Sequence, residues 1–313
     1  MLRPRRLPGG AILGAVCTLA SIPLTPTLEQ GHFTVQSELV VLHVLVKDRS
    51  GAFVTDLEAD AFHVFEENRP QTIHFFATED APVSVGLVID SSGSMRNVRD
   101  RVIAASAAFV DSSNPQDEVF ALVFNDDVRP VLPPTAPFTS DVSILRNALA
   151  QVFEPVGRTA LYDAVAEGLA YVAKGTRDRQ VLVVLSDGGD NASRSWADDA
   201  LARAQASNTL IYSVAIIDPA DPDANRKRLK QLAETTGGEE FEPNDIAEVG
   251  RVFQQIAREI RHGYTIGYEP SDPSPRHGFR HLRVEAQAPD GRRLVTRTRT
   301  GYLGLVDQRK HVP

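Results

Sequence analysis

The chain has 313 residues, 42% hydrophobic and 24% charged, which is the composition of folded globular material with room for two modest domains. Asp and Glu outnumber Lys and Arg by 41 to 33, giving a formal net charge of −8. That balance excludes the basic surface needed for non-specific nucleic-acid binding and disfavours an anionic membrane surface.

At the N-terminus, Arg3, Arg5 and Arg6 precede an apolar stretch from Ala11 to Leu24, interrupted by Pro23. Thr18 and Ala20 are spaced as an export cleavage site requires. Residues 1–30 therefore read as a signal peptide with a short linker. The apolar stretch falls short of the roughly 20 residues of a spanning helix, so an uncleaved N-terminal membrane anchor is the second reading. The only cysteine, Cys17, lies inside the stretch, and Leu13 and Val16 do not suit a lipid-attachment site around it. A chain cut near Ala20 has no thiol, and its stability comes from packing.

Residues 31–81 read as an N-terminal β segment. A β-branched and leucine run from Leu39 to Val46 is followed by "DRSG" turn chemistry, which predicts strand, turn and strand. Two further strands are expected at Phe62 to Glu66 and Ile73 to Phe76, separated by the polar "ENRP". From Pro82 the pattern changes. Strand-like runs at Ser84 to Asp90, Glu118 to Phe124, Gln180 to Ser186 and Leu210 to Ile217 alternate with helical patterns. The expected helices are Val98 to Val110, Ser143 to Val152, Leu161 to Ala173, Trp196 to Ala206, Arg226 to Glu234 and Ile246 to Ile260. Such alternation predicts a doubly wound, mainly parallel sheet covered by helices on both faces, spanning residues 82–262. Residues 263–304 return to β: "YTIGY", the alternating "HLRVEAQA", a "PDG" turn and "RRLVTRTRT". Small sheets are marginal alone. The expectation is that 263–304 pairs with 31–81 in one β-sandwich, with separate modules as the alternative and 305–313 as a tail.

The first α/β strand ends in "DSSGS", which sets Asp90, Ser92 and Ser94 at alternate positions across a strand-to-helix turn. In open α/β sheets, ligands bind beyond the carboxyl ends of the strands where strand order reverses. One carboxylate and two hydroxyls form a hard oxygen site short of charge. Two later loops offer more: "GRTALYDA" places Thr159 at a helix start, and "VVLSDGGDN" places Asp187 at the end of a buried strand. These three motifs, in this order and on these elements, resemble the metal-ion-dependent adhesion site of the von Willebrand factor type A domain. The resemblance implies a Rossmann-like domain with a divalent ion at the top of the sheet, and Asp90, Ser92, Ser94, Thr159 and Asp187 as its ligand set, some through water. The flanking segments, from "LVVLHVLVKDRSG" to "QTIHFF" and from "YTIGYEP" to "RTRTGY", are similar to the exported bacterial VWFA-related family of acidobacterial type.

Two departures from that pattern stand out. Arg158 occupies the place of a small residue before the threonine, crowding the loop or setting a cation beside the ion. Met95, Arg96, Asn97 and Val98 follow the serine motif where integrin-like domains carry acids, so no adjacent second metal site is expected.

Oxygen-only ligands, mostly neutral, suit Mg²⁺, with Mn²⁺ or Ca²⁺ as alternatives, better than Zn²⁺ or Cu²⁺. Five ligands leave a sixth position, which water or the Asp or Glu of a protein partner can fill. The plainer alternative is that Asp90, Ser92 and Ser94 only cap the next helix. Asp190 and Asn191 read as a solvated turn, and Trp196 as a helix-start residue packed on the sheet. The histidines lack metal-ligand spacing, and residues 130–137 and 218–225 read as loops.

The leading function is an exported, metal-dependent protein-binding module of adhesion type, located in the periplasm, at the cell surface or secreted. An envelope scaffold that binds through its β-sandwich, with the α/β domain as spacer, is the alternative. A metal-dependent hydrolase is weaker, since no G-x-S-x-G elbow and no phosphate-cradling glycine loop is present.

Overall fold

The computed structural model describes residues 39–303 apart from 79–80, 218–223, 244 and 273–277. The expected leader with Cys17, the tail and most of the loop at 218–225 lie outside the described residues. The described residues belong to one compact unit, and no helix among them is long and apolar enough to cross a membrane.

The chain begins with β1 (Val40–Lys47), β2 (Phe62–Glu66), β3 (Arg69–Gln71) and β4 (Ile73–Ala77). The strand expected after "DRSG" is replaced by a single bridge from Lys47 to Phe53. The chain instead folds over the Tyr264 hydroxyl, which donates to the Val54 carbonyl at 2.8 Å and accepts from the Leu57 amide at 3.1 Å. The "ENRP" segment turns tightly, with Glu67 and Asn68 at φ 49° and 62°, and this turn joins β2 to β3 as a hairpin.

The α/β part follows. It runs β5 (Val83–Asp90), α1 (Arg99–Ser112), β6 (Glu118–Phe124), β7 (Val128–Pro130), α2 (Val142–Val152) and α3 (Leu161–Val172). It continues with β8 (Arg179–Ser186), α4 (Ala197–Ala206), β9 (Leu210–Ala215), α5 (Arg226–Thr236), β10 (Glu240–Phe241) and α6 (Val249–Arg261). These strands form a six-stranded sheet in the order β10-β9-β8-β5-β6-β7. All neighbours in it are parallel except β7, which runs antiparallel at the edge. Every residue of β5 is buried, because the strand is central and both faces are covered. Val85, Leu87 and Ile89 face a core with Val102, Phe109, Phe253 and Ile256, from α1 and α6. Val88 faces the opposite core with Ala164, Val165 and Ala200, from α3 and α4.

The chain closes with β11 (Tyr264–Tyr268), β12 (Phe279–Ala286), β13 (Val295–Arg297) and β14 (Gly301–Leu303). Strands from both ends of the chain mix in two four-stranded antiparallel sheets, ordered β13-β1-β11-β4 and β14-β12-β2-β3. One apolar cluster joins them, with Leu42, Val44, Tyr264 and Ile266 from the first sheet and Phe62, Val64, Leu282 and Val284 from the second.

Candidate metal centre

Strand β5 sits where the sheet reverses direction: the chain steps to β6 on one side, and later to β8 on the other. Its carboxyl end is therefore the switch point, where two loops diverge and leave a crevice. Asp90 ends the strand with no exposed surface. One carboxylate oxygen accepts from the Ser92 amide at 2.8 Å and the other from the Ser186 hydroxyl at 2.6 Å. Burial pushes the Asp90 carboxyl up to about 6; the hydrogen bonds from Ser186 and Ser92 oppose the shift, and the Asp187 charge adds to it.

After Asp90 the backbone is pinned by Ser91, whose amide and hydroxyl both donate to the Phe124 carbonyl. A 3-10 turn over Gly93–Val98 follows, and the Ser92 side chain makes no capping bond to it. The capping alternative therefore does not describe Ser92. Its hydroxyl lies 3.0 Å from that of Ser94, which donates to Asp187 Oδ2 at 3.0 Å. Asp187 follows β8 directly, and its other oxygen accepts from the Gly189 amide at 2.9 Å. Ser94 is the exposed member, so the cluster opens to solvent there.

Thr159 reaches this edge through its backbone. The loop before α3 docks on the serine turn by Val156 N–H to Ser91 O at 3.0 Å and Gly93 N–H to Gly157 O at 3.2 Å. The Thr159 side chain makes no hydrogen bond to the cluster among the described residues, although the residue is only 7% exposed. Its amide donates to Asn191 Oδ1 at 2.9 Å, and its carbonyl accepts from the amides of Asn191 and Ala192. Asp190 Oδ2 accepts from the Tyr162 amide at 3.0 Å in the first turn of α3 and from the Ser193 hydroxyl at 2.5 Å. The solvated-turn reading of Asp190 and Asn191 is thus corrected: together they hold the threonine loop. Trp196 also differs from expectation. It immediately precedes α4 and is 79% exposed, so it does not pack on the sheet.

Neither Asp90 nor Asp187 forms an ion pair among the described residues, so two adjoining buried carboxylates face hydroxyls without a cation. No group of three His, Cys, Asp or Glu side chains is placed to hold a metal among the described residues. The hydrogen-bonded cluster instead offers the carboxylates of Asp90 and Asp187 and the hydroxyls of Ser92, Ser94 and Ser186, a donor set for a small, hard, oxygen-seeking ion. Around an octahedral ion with oxygens at about 2.1 Å, adjacent ligands lie about 3.0 Å apart. The Ser92–Ser94 and Ser94–Asp187 separations, both 3.0 Å, fit that edge length.

The sequence profile of the von Willebrand factor type A domain matches residues 84–255. The chain belongs to that family. Its A domain accounts for β5 through most of α6, and the candidate cluster lies at the sheet edge of that domain. The fold is similar to that of a von Willebrand factor type A protein from Catenulispora acidiphila, at 14% identity, covering 73% of this chain and 68% of that one with a TM-score of 0.51. It is also similar to the vWF domain of the type V pili tip protein Mfa5 from Porphyromonas gingivalis, at 15% identity, covering 57% of this chain and 95% of that one with a TM-score of 0.49. A third likeness is to the pilus adhesin SpaC from Lactobacillus rhamnosus GG in its open conformation, at 12% identity, covering 70% and 44% with a TM-score of 0.47. No curated protein matches the chain.

Proposed function

We propose that the chain is an exported protein-binding module whose A domain engages a partner's acidic side chain through a divalent cation, with Mg²⁺ the best-suited ion and Mn²⁺ or Ca²⁺ the alternatives. The observation that carries this reading is the meeting of Ser92, Ser94 and Asp187 at 3.0 Å separations beside buried Asp90. Asp90, Ser92, Ser94, Thr159 and Asp187 would hold the ion. When bound, the ion supplies a positive centre and an open position that accepts a carboxylate. Ser186 and the Ser92 amide fix the Asp90 carboxylate, and the Gly189 amide fixes that of Asp187, so both negative charges are oriented before any partner arrives. Family membership supports binding rather than catalysis, and the arginine-led apolar N-terminal stretch supports export to the envelope or beyond.

The test is calorimetry of Mg²⁺ and Mn²⁺ on the full chain and on Asp90→Ala, followed by capture of envelope proteins with and without EDTA. Saturable heat that disappears in the variant, with capture lost in EDTA, is expected. Capture that survives both treatments overturns the reading.

One observation favours the scaffold alternative: a cleft of about 670 Å³ lies between the A domain and the sandwich, lined by Lys47, Arg226, Glu239, Leu282, Val295 and Arg297. That reading predicts capture indifferent to chelation and sensitive to substitutions in the cleft.

A further inference from the structure

Beside Thr159 the molecule already contains a small carboxylate receptor, filled by one of its own side chains. Arg158 Nε donates to Asp126 Oδ1 at 2.7 Å, the Arg158 backbone amide donates to Asp126 Oδ2 at 3.1 Å, and Arg158 Nη1 reaches the Asn191 carbonyl at 3.5 Å. Gly157 holds φ at +81°, and a Cβ there would stand 2.1 Å from Asp126 Oδ2, so the carboxylate is seated against the loop backbone. One guanidinium N–H and one backbone amide each take an oxygen of the same carboxylate, so both of its oxygens are held, one of them by a charge-assisted bond. The Arg158 side chain is 65% exposed and that of Asp126 is 41% exposed. Ion pairs this open to water contribute little and exchange readily. The same hydrogen bonds lower the Asp126 carboxyl below its ordinary range, so at neutral pH the occupant is an anion.

Arg158 spans from the turn after β6, which carries Asp126, to Asn191, the residue that receives the Thr159 amide. It thus borders the residue proposed to hold the ion, on the exposed side of the loop. We propose that Arg158 is a specificity-determining residue that reads a second carboxylate on the partner, next to the one bound to the ion, and that Asp126 occupies Arg158 until that carboxylate displaces it. The preferred partner is therefore a segment with two neighbouring acidic residues. The inference rests on the metal-dependent binding proposed above.

The experiment uses the full chain in Mg²⁺ and labelled Gly-Ser peptides with no Glu, one Glu or two adjacent Glu, read by fluorescence anisotropy. The two-Glu peptide is expected to bind about fivefold tighter than the one-Glu peptide, the scale of an exposed charge pair. Arg158→Gln abolishes that preference and leaves one-Glu affinity and the heat of Mg²⁺ binding unchanged. Asp126→Asn acts in the opposite direction and enlarges the preference. A brace that only stiffens the loop predicts instead that both substitutions weaken every peptide and the metal alike, and that result overturns the proposal. One-Glu binding in Mg²⁺ with no preference for two Glu defeats this inference alone. No Mg²⁺ heat and no Mg²⁺-dependent binding of any peptide defeats the metal-dependent function, and this inference with it.

Discussion

Asp190 illustrates how a side chain that offers the ion nothing can still govern the proposed ligand set. It accepts the Tyr162 amide, one of the orphan donors at the start of α3, and the Ser193 hydroxyl, which itself accepts from the amides of Tyr162 and Asp163. This small network ties the segment after Asp187 to the helix that begins beyond Thr159. Asp190→Ala is expected to lower stability by about 1 kcal/mol, the usual cost of a lost helix cap, in urea denaturation, and to weaken Mg²⁺ binding measured by calorimetry. Trp196→Ala makes the contrast: with the indole in water, stability should stay within about 0.5 kcal/mol of wild type. Nothing in "SDGGDNASRSW" separates these roles. Gly, Asp, Asn and Ser suit a solvated turn as well as a clamp, and only the partner amides, some thirty residues upstream, decide between them.

Among the elements, β5 carries Asp90 and is buried along its whole length. Gly86 lies mid-strand, and a methyl there would come within 2.3 Å of Phe120 Cζ and 2.5 Å of Leu182 Cδ2. Both neighbours are fully buried and have nowhere to move. Gly86→Ala should therefore cost about 1–3 kcal/mol by overpacking, seen as a lower urea midpoint with an unchanged slope. The long elements were legible in the sequence for a physical reason: β5, β6, β8 and β9 are buried on both faces and read as unbroken apolar runs, and the helices repeat their apolar residues at helical spacing. The same logic exposed Asp90 and Asp187, since a carboxylate at the end of such a run is conspicuous. The short elements were not legible. Strands of two or three residues, β3, β7 and β10, are too short to show a repeated alternation, and β7 carries a proline that an edge strand tolerates and a central one does not. The missing strand after Gly51 failed differently, because its backbone partners are claimed by the Tyr264 hydroxyl, contributed by the far end of the chain.

At the scale of the whole molecule, the A domain is fastened to the sandwich by charge. Glu259 on α6 has a fully buried side chain and pairs with Lys47 of β1 at 3.0 Å and with Arg297 of β13. Burial pushes the Arg297 guanidinium below its ordinary range, so the anion is needed to keep two part-buried cations compatible. Glu239 also pairs with both cations, so removing Glu259 leaves Lys47 and Arg297 to share one partly exposed anion. Glu259→Gln is expected to lose about 2 kcal/mol, the scale of a lost hydrogen bond to a charged group, in equilibrium unfolding, and both parts should melt in one transition. The interleaving of the two sheets carries a consequence in time. Both neighbours of β1, β11 and β13, and the neighbour of β2 across the sheet, β12, belong to the last part of the chain to be synthesised. A ribosome delivers β1 first, with its valines and leucines and both its edges unpaired, and the matching strands emerge only after the entire A domain. During synthesis β1 therefore waits longest for its neighbours, and an apolar strand with open edges is prone to aggregate while it waits.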